Sequence, residues 1–366
     1  MMLIFHQCLS PTNPSSRSTS HPPILFPPSL SFGNPWGRPF LVPFSSGRGV
    51  LGMAMPMKRW WRVATYWLAE HPAIVGFRWS ESWGSTWPFL IYSVVAYTLA
   101  VAALRVVLCL ARRRRPVPLG PLPALHSLAM ALASAVIFLG LLLSVDTEIR
   151  DARLFWQHGR ARTTPLQWLL CFPLGTRPFG RIFFWSYVFY LSRFLHLLRT
   201  FLAILRLRPG PRAAVLRHSA LLCMSFLWLE FSQSFQVVAI LSATAAQVVV
   251  FGYRFWVGIK RGTGGGGGDG AAAVVLPCQA ALMGCDLACH LAMLLLHFAK
   301  GGCNGIQAWV VNLVLNAALL LLFVYCYVQT GTKTKKGGPL GGRRPPFRLL
   351  SHPMCDLGGF GHEKAT

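Results

Sequence analysis

The sequence predicts an all-α membrane protein built as seven transmembrane helices, and three observations carry that prediction. Apolar runs close to the roughly 20 residues that cross a bilayer recur along the chain. Only 12% of the 366 residues are charged and the mean hydropathy is +0.48, whereas a soluble domain carries about 25% charged residues. Arginine and lysine gather where the apolar runs end, as loop charges do in multi-pass proteins.

Residues 1–55 are rich in Ser and Pro, contain Arg17, Arg38 and Arg48, and hold no acid. Such a composition forms no packed core. It reads either as a leader of the transit-peptide kind or as an over-extended start, since Met53, Met55 and Met57 stand just before the first structured-looking residues. Residues 58–87 are Trp-rich with mixed charge, which suits a membrane-water interface. Candidate spans then run over Pro88–Leu110, Leu122–Val145, Arg181–Leu205, Arg217–Ser232, Phe235–Trp256, Val274–Phe298 and Ala308–Val328. The fourth and fifth nearly touch, which requires a tight hairpin. The helical domain is thus expected over 56–330, followed by a disordered basic tail over 331–366. The run GTGGGGGDG at 262–270 reads as a flexible linker. It lacks the Gly-Lys-Ser/Thr that a phosphate-binding loop needs.

Loop charge sets the expected orientation. Arg112 to Arg115 follow the first span, Arg206, Arg208, Arg212 and Arg217 the third, and Arg254, Lys260 and Arg261 the fifth. Lys333, Lys335, Lys336, Arg343 and Arg344 follow the seventh. The positive-inside rule places these segments in the cytosol and the N-terminus in the lumen. The 146–180 loop runs against the pattern with Arg150, Arg153, Arg160, Arg162 and Arg177, accompanied by Asp146, Glu148 and Asp151. The net charge of +25 follows from topology and anionic head groups rather than from nucleic acid, since no basic-aromatic binding module accompanies it. The ten cysteines form no CxxC pair and no Cys/His zinc spacing, so no metal is expected. Cys171 and Cys303 lie in loops that share the luminal side, where a disulfide between them would persist.

Polar residues recur at helical spacing from Tyr190 to Trp256. YLSRFLHLLRT carries Arg193, His196, Arg199 and Thr200; FLWLEFSQSFQVV carries Glu230, Gln233 and Ser234; AAQVVVFGYRFW carries Gln247, Tyr253 and Arg254. Steps of three, four and seven place each set on or near one helix face. Polar faces on otherwise lipid-like helices suggest an intramembrane pocket. Glu230 would then pair with Arg193 or Arg199. The sixth span adds Gln279, Asp286, His290 and His297, with Asp286 and His290 an i, i+4 pair in which the carboxylate could orient the imidazole. Ser234 and Cys289 could serve as nucleophiles only beside a base.

This stretch resembles the ELO family of fatty-acid elongase condensing enzymes, in particular its divergent plant branch. The likeness spans roughly residues 60 to 330 and rests on CFPLGTRPFGRIFFWSYVFYLSRFLHLLRT, FLWLEFSQSFQVV, VVFGYRFW, PCQAALMGC and GGCNGIQAW. It implies a seven-helix bundle in the endoplasmic reticulum membrane, enclosing an acyl-chain pocket. There a long-chain acyl-CoA and malonyl-CoA would give 3-oxoacyl-CoA, CO2 and CoA with no further cofactor. The chain departs from the family's motifs KxxExxDT, HxxHH, HxxMYxYY and TxxQxxQ. Arg193, His196 and Arg199 replace Lys, Glu and Asp of the first, and Thr200 is kept. Glu230, Gln233 and Ser234 stand where the resemblance would put histidines. Gln247 replaces the His and Phe251 the first Tyr of the third motif, while Tyr253 is kept. Gln279 matches the first Gln of the fourth, whereas Pro277 and Leu282 or Met283 depart from it.

The family's histidine box is thought to carry the acyl group, and a glutamine amide is not basic enough for that. Direct attack of a malonyl-derived enolate on bound acyl-CoA is then the simplest route. His196 or His290 would handle protons, and Arg193, Arg199, Gln233, Gln247 and Gln279 would face developing negative charge. Arg206, Arg208, Arg212, Arg254 and Lys260 flank the expected cytosolic mouth, where CoA phosphates would enter. The competing reading is a catalytically silent lipid-binding or scaffold protein of the elongase or sphingolipid pathway. A seven-helix receptor or transporter is a third, without the repeat of broken helices a transporter would show. Membrane lipids, the other elongase-cycle enzymes and a second copy of the chain are the expected partners.

Overall fold

A computed structural model describes residues 55–111, 117–156, 169–207, 211–262 and 270–336. The leader expected over 1–55, the middle of the glycine-rich linker and the tail beyond Lys336 lie outside these residues, apart from Met55 itself. Among the described residues the chain is helical, with no strand beyond an isolated bridge between Arg78 and Phe179. Helix α1 (Met55–Thr65) leads through a π-turn (Tyr66–Glu70) into the short α2 (Pro72–Val75). The long helices follow: α3 (Trp87–Leu110), α4 (Leu122–Trp156), α5 (Arg181–Leu205), α6 (Pro211–Glu230), α7 (Gln236–Gly262), α8 (Gly270–Lys300) and α9 (Ile306–Lys336).

Six of these carry a stretch long and apolar enough to cross a membrane: Trp87–Leu110, Leu122–Asp151, Arg181–Leu205, Ala213–Glu230, Gln236–Ile259 and Pro277–Ala299. The apolar part of α9, Ile306–Leu322, is shorter. The Trp-rich segment divides in two. Trp60, Trp61, Trp67 and Trp83 are exposed, while Trp79 is buried against Tyr187, Tyr190 and Phe226.

Two boundaries move furthest from the sequence expectation. Helix α4 continues past Val145 through the segment read as a charged loop, because Asp146 and Arg150 pair at i, i+4 along it. There Arg181, at the start of α5, bonds Asp151 at 2.7 Å and reaches Glu148 at 3.6 Å, so acids that looked like loop charge join two helix ends. Helix α9 likewise continues to Lys336, through the first residues of the expected tail.

The core is aromatic. Tyr190, Phe172, Phe226 and Phe235 are almost wholly enclosed, with Trp185 and Trp228 beside them. Helix α4 packs along both α7 and α5, and α6 along α5. Gly140 makes the α4–α5 approach feasible, because a Cβ there would lie 2.2 Å from the Trp185 ring. That ring is held in turn by its N–H donating to the Leu68 carbonyl at 2.8 Å. Gly140→Ala is therefore expected to cost about 1–3 kcal/mol by overpacking, read as a lower melting temperature of the detergent-solubilised protein. The outward faces stay apolar: Leu295 and Phe298 are 71% and 78% exposed, as lipid-facing positions are.

The α6–α7 connection is the tight hairpin the sequence required, and it is elaborately fixed. Ser232 and Phe235 adopt left-handed φ values of 44° and 61°. The loop before α5 and the start of α9 close over this turn. Phe172 N–H donates to Ser234 Oγ at 3.0 Å, which donates to the Asn304 carbonyl at 2.9 Å. The Asn304 side chain donates to the carbonyls of Thr176, Phe231 and Ser232 and accepts from Gly175 N–H. Cys171 and Cys303 are joined as a disulfide, their Cα atoms 5.1 Å apart and 132 residues apart in sequence. Tying so long a loop stabilises a fold by about 4–5 kcal/mol in the chain-entropy account. Reduction, or Cys171→Ser, is accordingly expected to lower the unfolding temperature and to shift the band on a non-reducing gel.

A candidate active site between the helices

The polar residues read from the sequence gather into two neighbouring groups within the bundle. The first lies on α5, α6 and α7. Arg193 is 4% exposed, and its guanidinium stacks 3.7 Å above the Phe189 ring. The Gln247 amide meets every neighbour's need when its oxygen faces Arg193, at 3.2 and 3.1 Å, and its nitrogen faces Ser134 Oγ at 3.1 Å. His196 is buried one turn from Arg193, its ring 6.1 Å from that of His218 and 5.4 Å from that of Phe251, and its Nε2 has no partner. Arg199 and Arg254 flank the same Phe251 ring at 5.9 and 5.7 Å. Thr200 accepts a 2.8 Å hydrogen bond from the Tyr97 hydroxyl, tying α3 to α5. Tyr253 sits half-buried on α7.

The second group joins the α6–α7 turn to α8 and α9. Gln233 is completely buried, and its Oε1 accepts a hydrogen bond from the Asn312 amide. His290 is buried between the rings of Phe235, at 4.8 Å, and Trp309, at 5.8 Å. Its Nε2 meets the Asn316 amide at 2.9 Å, which leaves Nδ1 without a partner. Asn312 and Asn316 are one helical turn apart on α9, so a single face serves both the glutamine and the histidine.

Beside this group, between α6, α8 and α9, opens a mainly apolar cavity of about 240 Å³ whose polar lining includes Gln279, Asp286, His290, Asn316 and Arg217. Of the stripe read on the sixth span, Gln279, Asp286 and His290 line this cavity, whereas His297 lies outside it and accepts a 3.0 Å hydrogen bond from Cys303 N–H. Among the described residues no cluster of His, Cys, Asp and Glu has a metal-holding arrangement.

Several expected roles change. Glu230 accepts a 2.8 Å hydrogen bond from the Trp79 indole, while Arg193 faces Phe189 and Gln247, so the expected Glu230–Arg193 pair is not made. The reason is position: Glu230 closes α6 beside the buried Trp79, whereas Arg193 lies midway along α5. Ser234 spends its hydroxyl on backbone partners in two loops, which leaves no base to activate it. Asp286 does not orient His290; Asn316 does, from the facing helix. The side chains of Arg208, Arg212 and Lys260, expected at the mouth, lie outside the described set.

Sequence reasoning did not single out Asn304, Asn312, Asn316 or His218. The signal for two of them was present: Asn312 and Asn316 are an i, i+4 amide pair within an otherwise apolar run.

Comparison with known proteins completes the picture. No solved structure matches the chain. It is 54% identical over 268 residues to a protein of Arabidopsis thaliana described as fatty acid elongase 3-like, an alignment covering 72% of this chain and 91% of that one. The profile of the GNS1/SUR4 family matches residues 82–338. The chain belongs to the ELO (GNS1/SUR4) family, whose elongases are condensing enzymes of fatty-acid elongation.

Proposed function

We propose that this protein is a very-long-chain 3-oxoacyl-CoA synthase that joins a long-chain acyl-CoA to malonyl-CoA. The observation that carries the reading is the apolar cavity between α6, α8 and α9, walled by His290, Asn316 and Gln279 next to the buried Gln233–Asn312 amide pair. Apolar walls suit an acyl chain, and a small number of converging polar groups suit the thioester end.

The chemistry balances without a covalent acyl-enzyme. The malonyl carbon–carboxylate bond breaks, releasing CO2 and leaving its electron pair as an enolate. The enolate carbon attacks the acyl thioester carbonyl, and the carbon–sulfur bond breaks to expel CoA thiolate, which takes up a proton. His290, with Asn316 fixing one ring nitrogen, would supply that proton. Donors from Gln233, Asn312 and Gln279 would stabilise the oxygen on which charge accumulates. Gln233 in place of histidine favours this direct route, since an amide cannot carry an acyl group. Arg193, His196 and Gln247 would keep the neighbouring wall polar, with Arg199, Thr200, Tyr253 and Arg254 on the side where CoA enters.

In this reading α9 is a seventh span, the N-terminus is luminal and the C-terminus cytosolic. The enzyme works in the endoplasmic reticulum membrane on precursors of sphingolipids, beside the reductases and dehydratase of the elongation cycle, and a second copy is a further candidate partner. Residues 1–55 would be a leader or an over-extended start and the region past Lys336 a disordered tail.

Purified protein incubated with malonyl-CoA and long-chain acyl-CoAs is expected to release CO2 and 3-oxoacyl-CoA. A properly folded preparation that yields neither would turn the assignment towards the alternative, a silent lipid-binding or scaffold protein.

A further inference from the structure

Arg217 belongs to neither polar group alone. Its side chain lines the α6–α8–α9 cavity, and it also lies within electrostatic reach of Arg193, His196 and His218. Its Nε has no hydrogen-bond partner, and neither have Arg193 Nε and His196 Nε2. Among the described residues no carboxylate forms an ion pair with Arg217 or Arg193. Asp286 shares the cavity wall but does not pair with Arg217. A guanidinium held at bilayer depth without an anion is costly, and a second one nearby raises that cost. Such a group persists where an anion occupies the site during function.

Depth narrows the choice of anion. Arg217 and His218 lie about 10 Å along α6 from its first residue, and His196 and Arg193 lie about 13–18 Å along α5 from its last, at the 1.5 Å helical rise. Phosphates of CoA belong at the mouth, whereas the acyl end of the thioester reaches inward. Acyl-CoA is uncharged at that end. Malonyl-CoA carries a carboxylate there.

We propose that Arg217, with Arg193 behind it, is the receptor for the free carboxylate of malonyl-CoA. This rests on the condensing-enzyme reading and adds the residue that selects the extender. A guanidinium takes a carboxylate through paired charge-assisted hydrogen bonds. Once CO2 has left, the same cations face the charge carried by the enolate, so the site holds one negative charge throughout the step.

The test compares malonyl-CoA with acetyl-CoA, which differ only in the carboxylate, by their affinities for the purified full-length protein in detergent or nanodiscs. Wild-type protein is expected to bind malonyl-CoA about tenfold or more tightly than acetyl-CoA. In Arg217→Gln that ratio should fall to near one with acetyl-CoA affinity unchanged, and Arg217→Lys should keep part of it. A wild-type ratio near one overturns the proposal whether or not the variants fold. So does a ratio that survives Arg217→Gln, or an equal loss for both ligands, which would mean a phosphate contact. Failure of the underlying reading looks different: the malonyl preference persists in wild type, yet no 3-oxoacyl-CoA forms.

Discussion

Asn304→Leu is expected to destabilise the protein by about 3–5 kcal/mol and to abolish the condensation proposed for it. Leucine matches asparagine in bulk but removes the amide that bridges Thr176, Phe231 and Ser232 carbonyls to Gly175 N–H. Each polar group left unmet in a buried setting costs about 1–3 kcal/mol. The effect is not confined to the loop, because the two Asn304-bonded carbonyls at Phe231 and Ser232 belong to the turn that presents Gln233. Gly305→Ala should be at least as severe. Gly305 has φ at +75°, and a Cβ there would lie 2.9 Å from both Gln233 Cα and the Phe231 carbonyl oxygen. Those are backbone neighbours that cannot rotate away. Thermal unfolding together with the malonyl-CoA assay checks both variants. Wild-type stability in either would show that the loops closing over the hairpin are dispensable to it.

The second large effect separates the two buried histidines. His290→Phe is expected to lower the turnover rate by about 10²–10⁴-fold, the usual contribution of a positioned proton donor, with little change in melting temperature. The ring would remain packed between Phe235 and Trp309, while Asn316 loses its partner. His196→Phe should leave turnover far less affected, because His196 does not line the cavity that His290 lines. The reverse ranking would move the chemistry to the Arg193–Gln247 group. Asn316→Leu serves as a control on positioning. It should lower turnover less than His290→Phe and alter its dependence on pH, since the amide holding one ring nitrogen is gone.

Much of this arrangement was legible in the sequence. The helices followed from apolar run length, and the tight α6–α7 hairpin from the near-contact of two runs. The Gln279–His290 stripe followed from helical spacing alone. What could not be read was which groups meet across helices. Glu230 seemed to need a cation, yet an indole from a segment 151 residues earlier satisfies it. Asp286 seemed the natural companion of His290 by spacing, yet the facing helix supplies Asn316 instead. Such pairings depend on helix rotation and relative depth, which periodicity within one helix does not encode. The overrun of α4 has a plainer cause. A run of charges looks like a loop until its i, i+4 pairs are recognised as helical.

The disulfide has a consequence for biosynthesis. Cys171 precedes α5 and Cys303 follows α8, so the bond can close only after the four intervening helices have been synthesised and threaded. Closure then clamps Asn304 onto the α6–α7 turn. The bond is thus a timestamp of insertion through α8, missing from chains stalled earlier.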